Sequence, residues 1–229
     1  MNYILPVTLN VANALSGVSG AYGSWYELTS GLPFKTSLLS PIIQNQGYGA
    51  INIGVGTSQT IVAPDLPFNN TGNFNPCPIE IPAFAPIYIQ YSSGDSTQLT
   101  SNISVIVLPE TEDNKAIGTM MTSQYITSIG PGTAWTQIGS SPTPSVPVRG
   151  FLANIATNNG ADTNFSWSLG YGPSSSNVIT IFDNVVFTNP ASYININNFY
   201  RVKIPPSMNL YGVASLAGGV FNIGLNLVY

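Results

Sequence analysis

Apolar residues alternate with polar or small residues in several short runs of the chain. Residues 50–55 and 87–91 alternate throughout, residues 103–108 start the same way and end fully apolar, and residues 220–227 repeat the pattern near the end. Successive side chains of a strand point to opposite faces, so a period of two predicts β-strands with one buried face. The 18 prolines and 22 glycines separate these runs, as turn residues do. The pattern predicts an all-β, antiparallel sandwich fold.

Helical periodicity is nearly absent. Only residues 5–15 and 116–125 have a pattern that could hold one or two helical turns.

Several features recur in the same order in both halves of the chain. An Ile-Pro pair precedes a tyrosine at one fixed spacing, a Gly-x-Gly follows an alternating run, and a tryptophan stands near the start of each half. The predicted equivalent pairs are Ile81 and Ile204, Tyr88 and Tyr211, Gly54 and Gly170, and Trp25 and Trp135. Asp65 and Asp183, which follow the β-branched runs, are further expected equivalents. The shared order indicates an internal duplication.

The repeat places a boundary near the middle of the chain. Residues 110–115 carry four of the fourteen charges and follow a predicted strand and Pro109, which is typical of an exposed linker. We therefore predict an N-terminal β-sandwich at 1–109, a charged linker at 110–115 and a C-terminal β-sandwich at 116–229.

Charged residues make up only 6% of the chain, against about 25% in ordinary soluble domains. Polarity comes instead from Ser, Thr, Asn, Gln and Gly. Burying a lysine or glutamate at a contact costs side-chain entropy and desolvation, whereas burying these shorter residues costs less. The composition favours a protein that packs against copies of itself. A secreted or cell-surface β protein with a neutral surface is the alternative.

The charge balance argues against nucleic-acid and membrane partners. The net charge is −4, and of the five basic residues only Arg201 and Lys203 are close in sequence, which is too few to neutralise a phosphate backbone. The chain has no run of 18 consecutive apolar residues, which is the length that would predict a membrane-spanning helix. The first 21 residues lack the positive and apolar regions expected of a signal peptide.

The sequence offers little for catalysis, cofactors or metal binding. The absence of histidine excludes Ser-His-Asp and Cys-His arrangements and most zinc sites. A pair of carboxylates could still hydrolyse glycosides, but Asp65 and Asp183 have the pattern of duplicated turn residues. The single cysteine, Cys77, has no histidine partner and is expected to be a small apolar filler. We predict no catalytic, metal or cofactor site.

Aromatic side chains leave one binding function open. Tyrosine and tryptophan on sandwich loops can stack on sugar rings, although cores and subunit contacts use the same residues. The candidates are Tyr22, Trp25, Tyr26, Tyr48, Trp167, Tyr171, Tyr193, Phe199 and Tyr200.

The two Ile-Pro segments resemble strand openings of viral coat-type β-sandwich proteins. Glu80-Ile81-Pro82-Ala83 and Lys203-Ile204-Pro205-Pro206 are similar to the polar-Ile-Pro-Ala-Gly openings of bacteriophage and archaeal-virus structural proteins. In those proteins a glycine often follows soon after, where Phe84 and Ser207 stand here. The resemblance implies two jelly-roll-like units, or a compact double jelly roll.

Together these patterns predict a non-enzymatic structural protein of a virus particle: a capsid, penton, decoration or spike component. Its expected partners are copies of itself and other virion proteins, its expected location is the virion assembled in the host cytoplasm, and no cofactor is expected. The alternative is an adhesin that binds a host-surface glycan or receptor, on a virus fibre or a cell-surface filament.

Overall fold

The computed structural model describes residues 6–10, 15–44, 49–68, 73–74, 76–93, 100–129, 134–139, 145–157, 165–187, 195–215 and 221–229. Within these ranges the chain forms eighteen β-strands and no α-helix, which confirms the all-β prediction. The possible helical turns were wrong where the chain is described, because Val7–Asn10 and Met121–Ile129 are strands. No helix in the same ranges is long and apolar enough to cross a membrane.

The chain divides into two compact units. Unit 1 comprises Met1–Thr122 with Val228–Tyr229, and unit 2 comprises Ser123–Leu227.

Unit 1 contains the first ten strands, arranged in two sheets. They are β1 (Val7–Asn10), β2 (Leu15–Ser16), β3 (Val18–Ser19), β4 (Tyr26–Thr29), β5 (Thr36–Gln44), β6 (Gly49–Val55), β7 (Thr60–Phe68), β8 (Asn73–Phe74), β9 (Ile87–Ser93) and β10 (Thr100–Pro109). One sheet has the order β1-β10-β5-β8, with β2 also on β10. The other has the order β3-β9-β6-β7, with β4 also on β9. The short β3–β9 pairing is parallel, whereas the neighbouring pairs are antiparallel.

Unit 2 is formed by the last eight strands, except for Met121, Thr122 and Val228 at strand ends, which belong to unit 1. The eight strands are β11 (Met121–Ile129), β12 (Thr136–Ile138), β13 (Val148–Thr157), β14 (Phe165–Ser174), β15 (Asn177–Phe187), β16 (Asn195–Ile204), β17 (Asn209–Ser215) and β18 (Phe221–Val228). Its two sheets have the orders β11-β18-β13-β16 and β12-β17-β14-β15.

The two units share one strand order. In unit 2 one sheet joins the first, eighth, third and sixth strands, and the other joins the second, seventh, fourth and fifth. Unit 1 has the same order once β1 and β2 count as the first position and β3 and β4 as the second. This is the connectivity of a jelly roll, in which two Greek keys form an eight-stranded double sheet. The predicted tandem jelly-roll-like units are confirmed.

The predicted linker at 110–115 lies inside unit 1. The Glu110 N–H donates to the Lys35 carbonyl at 2.7 Å, and Thr111 and Asn114 close a tight turn through a 3.2 Å hydrogen bond. The division of the chain falls after Thr122 instead. The charge pattern located an exposed turn, but backbone hydrogen bonds make this turn part of unit 1.

The buried apolar residues come from both sheets of each unit. In unit 1, Leu39, Val105 and Val107 of one sheet and Ile53 and Ile89 of the other are fully buried. In unit 2, Phe182 of β15 lies 6.1 Å from Phe151 of β13 and 5.1 Å from Tyr200 of β16, measured between ring centroids. Because β15 belongs to the opposite sheet, these rings join the two layers of unit 2.

Candidate assembly surfaces

The repeated glycine and tyrosine lie opposite each other in both units. Gly54 on β6 pairs with Tyr88 on β9, and Gly170 on β14 pairs with Tyr211 on β17. A Cβ added at Gly54 would lie 3.0 Å from the Trp25 ring, so the glycine lets this ring approach the strand. The same residue types therefore meet at the same strand positions.

Each of the two tryptophans stands directly before a strand at the second position of the shared strand order, which is β4 in unit 1 and β12 in unit 2. Trp25 precedes β4, where Glu27 pairs with Tyr88, and Trp135 precedes β12, where Gln137 pairs with Tyr211. Both indoles are half-buried.

The two Ile-Pro segments pair with equivalent strands, β5 in unit 1 and β13 in unit 2. Ile81 exchanges backbone hydrogen bonds of 2.9 and 3.2 Å with Thr36 on β5, and Ile204 pairs with Val148 on β13. Both isoleucines are buried. Each segment is followed by a turn, so proline stands where its missing N–H does not interrupt a ladder.

A β-bulge interrupts the equivalent strand pair in both units, β6–β7 in unit 1 and β14–β15 in unit 2. The register of β6 and β7 shifts between Ile51 and Ile53, and that of β14 and β15 shifts between Trp167 and Leu169. The residue at the bulge has a positive φ in each case, 50° at Asp65 and 49° at Asn184.

In each bulge, a side chain of β6 or β14 accepts a hydrogen bond from the backbone N–H of the residue with positive φ. The Asp65 N–H donates to Asn52 Oδ1 at 2.8 Å, and the Asn184 N–H donates to Ser168 Oγ at 3.0 Å. The sequence matched Asp65 with Asp183, but the bulge makes Asn184 its counterpart, because backbone conformation and not charge defines this position.

Both aspartates near the bulges take part in structural hydrogen bonds. The Tyr22 hydroxyl donates to Asp65 Oδ1 at 2.5 Å, and the Ser168 hydroxyl donates to Asp183 Oδ1 at 2.6 Å. Among the described residues, no group of three His, Cys, Asp or Glu side chains is placed to bind a metal ion. Two further aspartates, Asp95 and Asp162, lie outside the described ranges.

Cys77 is a buried strand-like residue. Its backbone exchanges hydrogen bonds of 2.8 and 3.1 Å with Leu39 of β5, and burial raises the pKa of its thiol well above the usual range. A thiol in this environment stays protonated, which suits the predicted filler and not a nucleophile.

The aromatic candidates for sugar stacking are dispersed. Trp167 is 1% exposed and packs edge-on against Phe182 at 4.7 Å, so its ring is unavailable to a ligand. Tyr22, Trp25 and Tyr26 are half-buried in one segment of unit 1. Tyr171, Phe199 and Tyr200 are half-buried in unit 2, and Tyr48 and Tyr193 lie outside the described residues.

The exposed surface of the described residues is mainly uncharged and includes several large apolar side chains. They are Val18, Ile61, Phe84, Met120, Val146 and Ile179, of which Phe84 is the most exposed at 72%. Scattered apolar side chains of this kind are normal, but Phe84 also has a positive φ of 59°.

The charged side chains are unevenly placed. Unit 1 contains three ion pairs: Lys35 with Glu80 at 2.8 Å and with Glu110 at 3.2 Å, and Lys115 with Glu112 at 3.0 Å. A hydrogen bond to Glu80, and a second one to Glu110 with a smaller effect, raise the pKa of Lys35.

In unit 2, three exposed cations lie on two neighbouring strands. Arg149 of β13 is next to Gly150, which pairs with Arg201 of β16, and Lys203 is two residues further along β16. In the sequence, only Arg201 and Lys203 are close neighbours. Arg149 was missed because a pairing between distant strands leaves no local pattern in the chain.

Neither a known family profile nor a curated protein sequence matches the chain. Among solved structures, the chain is similar to the STIV MCP at 10% identity, covering 98% of this chain and 97% of that one, with a TM-score of 0.45. It is also similar to a chain in the atomic structure of Sulfolobus Turreted Icosahedral Virus, at 8% identity, 97% and 90% coverage and a TM-score of 0.48.

A third similar structure is the PBSX exported protein XepA, at 12% identity, 98% and 86% coverage and a TM-score of 0.31. The strand order of the chain itself defines the fold.

Proposed function

We propose that this protein is a non-enzymatic structural component of a virus particle, which assembles through contacts between copies of itself. The observation that carries the proposal is the presence of two complete jelly-roll strand orders in one charge-poor chain. Two similar units offer each neighbour two similar but unequal surfaces, which suits repeated contacts in a closed symmetric assembly.

The surface chemistry supports the same proposal. Uncharged polar side chains lose little hydration and little rotamer freedom when a neighbour covers them. Exposed Phe84 and Ile179 add apolar contact area to this surface. Of the carboxylates that could serve catalysis, Asp65 and Asp183 accept structural hydrogen bonds.

The test has two parts. Sedimentation velocity of the purified full-length chain should give a discrete oligomer whose population rises with protein concentration. Quantitative mass spectrometry of purified particles from the source of the gene should detect the chain at a stoichiometry that fits a symmetric position. A chain that stays monomeric at all concentrations and is missing from particles would contradict the proposal.

The adhesin alternative has its own measurement. The segment with half-buried Tyr22, Trp25 and Tyr26 is one place where sugar stacking is possible. A glycan array on which a Trp25→Ala variant loses the binding shown by the native chain would favour an adhesin. An array without binding would favour the structural role.

A further inference from the structure

Two apolar loops meet at one end of unit 1. Residues 31–34 and 81–87 contain no polar side chain. The Phe84 N–H donates to the Leu32 carbonyl at 2.7 Å, and a Cβ added at Gly31 would lie 2.6 Å from the Phe84 carbonyl carbon. Because Gly31 has no side chain, its loop can approach the Phe84 backbone closely. We call the surface of these two loops the apolar tip, formed by Leu32, Pro33, Pro82 and Phe84.

The Phe84 ring is costly to the fold where it stands. Its φ is 59°, which a bulky residue rarely adopts, and its side chain is 72% exposed. Ser207 takes the equivalent position in unit 2 with a φ of 61°. The turn therefore forms without an aromatic side chain, so folding does not explain the ring. Strained backbone of this kind persists mainly where it serves a function.

Unit 2 has an apolar pair at the hairpin between β14 and β15. Tyr171 and Ile179 lie opposite each other where the two strands enter this hairpin. Ile179 is 57% exposed and Tyr171 is half-buried. In unit 1 the corresponding pair after the repeated glycine is Val55 and Thr60, so the larger apolar surface is particular to unit 2. We call Tyr171 and Ile179 the hairpin pair.

In both units this hairpin lies beside the turn that follows the Ile-Pro segment. In unit 1 the Gly56 N–H donates to the Pro86 carbonyl at 2.9 Å, and in unit 2 the Asn209 side chain donates to the Pro173 carbonyl at 3.3 Å. The two ends are built alike but carry their apolar side chains at different places. Unit 1 has phenylalanine on the turn and threonine in the hairpin, whereas unit 2 has serine on the turn and isoleucine in the hairpin.

We propose that the apolar tip of one copy packs its Phe84 ring against the hairpin pair of a second copy. This inference rests on the proposed self-assembly and specifies one of its contacts. The reciprocal difference between the units favours this arrangement, because each apolar surface then meets one that its own unit lacks. A phenylalanine buries about 150–250 Å², whereas a stable interface needs about 800 Å² on each partner. The contact is therefore one part of a larger interface.

The charges beside the apolar tip favour a protein partner over a membrane. Lys35 follows the first loop and Glu80 precedes the second, and Lys35 pairs with Glu80 at 2.8 Å and with Glu110 at 3.2 Å. One lysine and two glutamates leave an excess of negative charge, which anionic lipid headgroups repel. Even a single acyl chain gives only marginal membrane binding, and one ring is smaller. An apolar centre beside a charged rim is instead the usual anatomy of a protein interface.

Exchanging each residue for its counterpart in the other unit tests the contact. Phe84→Ser and Ile179→Thr should each lower the self-association constant of the full chain by at least about tenfold, measured by sedimentation velocity. The double variant should associate only slightly more weakly than either single variant, because both changes remove the same contact. Val146→Thr, a similar change at another exposed side chain, should leave the association constant unchanged.

Cross-linking between copies tests the geometry. A chain with Phe84→Cys mixed with a chain with Ile179→Cys should give a mixed cross-linked dimer with a short thiol-to-thiol reagent. Each chain alone should give none. The native Cys77 is buried and its thiol stays protonated, so it does not compete for the reagent in the folded chain.

Several results would overturn the inference. Unchanged association of Phe84→Ser and Ile179→Thr, or no mixed cross-link, would show that the two surfaces do not meet. Cross-linking of Phe84→Cys chains with one another would show that the apolar tip meets itself. Binding of the native chain to phosphatidylcholine vesicles that Phe84→Ser loses, with self-association unchanged, would assign the apolar tip to a membrane.

Two controls keep these outcomes interpretable. Each variant should keep the circular dichroism spectrum of the native chain, and Phe84→Ala serves if Phe84→Ser impairs folding. A native chain that associates while the exchanges have no effect would reject only this contact. A native chain that never associates and is missing from particles would reject the proposed function itself.

Discussion

At the scale of single residues, the turns after the two Ile-Pro segments keep a glycine-like backbone without glycine. Phe84 and Ser207 each follow the isoleucine by three positions, and their φ angles are 59° and 61°. The viral proteins that the sequence resembles often have glycine soon after this motif. The turn conformation is therefore the same in both units, while the side chain at this position differs.

Replacing Phe84 with glycine should stabilise the protein. A left-handed conformation costs an L-residue roughly 1–2 kcal/mol, and the added flexibility of glycine in the unfolded chain returns about 0.4–1 kcal/mol of this. Because the Phe84 side chain is 72% exposed, its removal loses little burial. We expect Phe84→Gly to raise the free energy of unfolding by about 0.5–1 kcal/mol, measured by urea denaturation.

Two matched variants separate backbone strain from side-chain loss. Ser207→Gly should give a similar gain in the equivalent turn. Phe84→Ala removes the ring but keeps a Cβ at positive φ, so no gain is expected. Equal stabilisation by Phe84→Ala and Phe84→Gly would mean that strain at φ is not the cause.

The two repeated glycines should respond unequally to alanine. A Cβ at Gly170 would lie 2.4 Å from Val178 Cγ1 and 2.8 Å from the Ile179 carbonyl oxygen, which is backbone. At Gly54 the nearest atoms are those of the Trp25 ring at 3.0 Å. We expect Gly170→Ala to lower the free energy of unfolding by about 2 kcal/mol, and Gly54→Ala to lower it less. The reverse order in chemical denaturation would contradict this steric account.

At the scale of elements, alternation in the sequence located strands well. The runs at 50–55, 87–91 and 103–108 lie in β6, β9 and β10, because one buried face imposes a period of two. The bulge at Asp65 and the position of Arg149 beside Arg201 could not be predicted. Both depend on which distant strands pair and in which register, and a single chain contains no local signal of this.

The equivalence of the two halves remains a prediction. We expect an experimental structure to superpose the units with Ile81 on Ile204, Tyr88 on Tyr211, Gly54 on Gly170 and Trp25 on Trp135. The pairing of Gly54 with Tyr88 and of Gly170 with Tyr211 supports this alignment. An offset of one residue in any of these strands would reverse the faces of its side chains and contradict the proposed duplication.

At the scale of the whole molecule, stability should hardly change with pH around neutrality. The chain has no histidine, so no side chain has an ordinary pKa near 6.5. Burial raises the pKa of the Cys77 thiol in the folded state. The stabilisation linked to this group is therefore complete below the unfolded pKa, about 8.5, and is lost as pH rises above it.

Thermal unfolding across this range provides the measurement. We expect a constant melting temperature between about pH 6 and 8 and a decline above about pH 9, since the exposed thiol then ionises only in the unfolded chain. A Cys77→Ala variant should lose part of the alkaline decline. A steep change near neutrality in the native chain would contradict this interpretation.

The buried thiol is also a natural probe for local opening of unit 1. Because Cys77 is the only cysteine, a thiol reagent can label the chain at one place, and only when the segment paired with Leu39 comes apart. The labelling rate then measures how often unit 1 opens, without any engineered probe. In an assembled particle the same rate should fall if neighbours hold the jelly roll closed, so one native atom can follow the dynamics of the subunit before and after assembly.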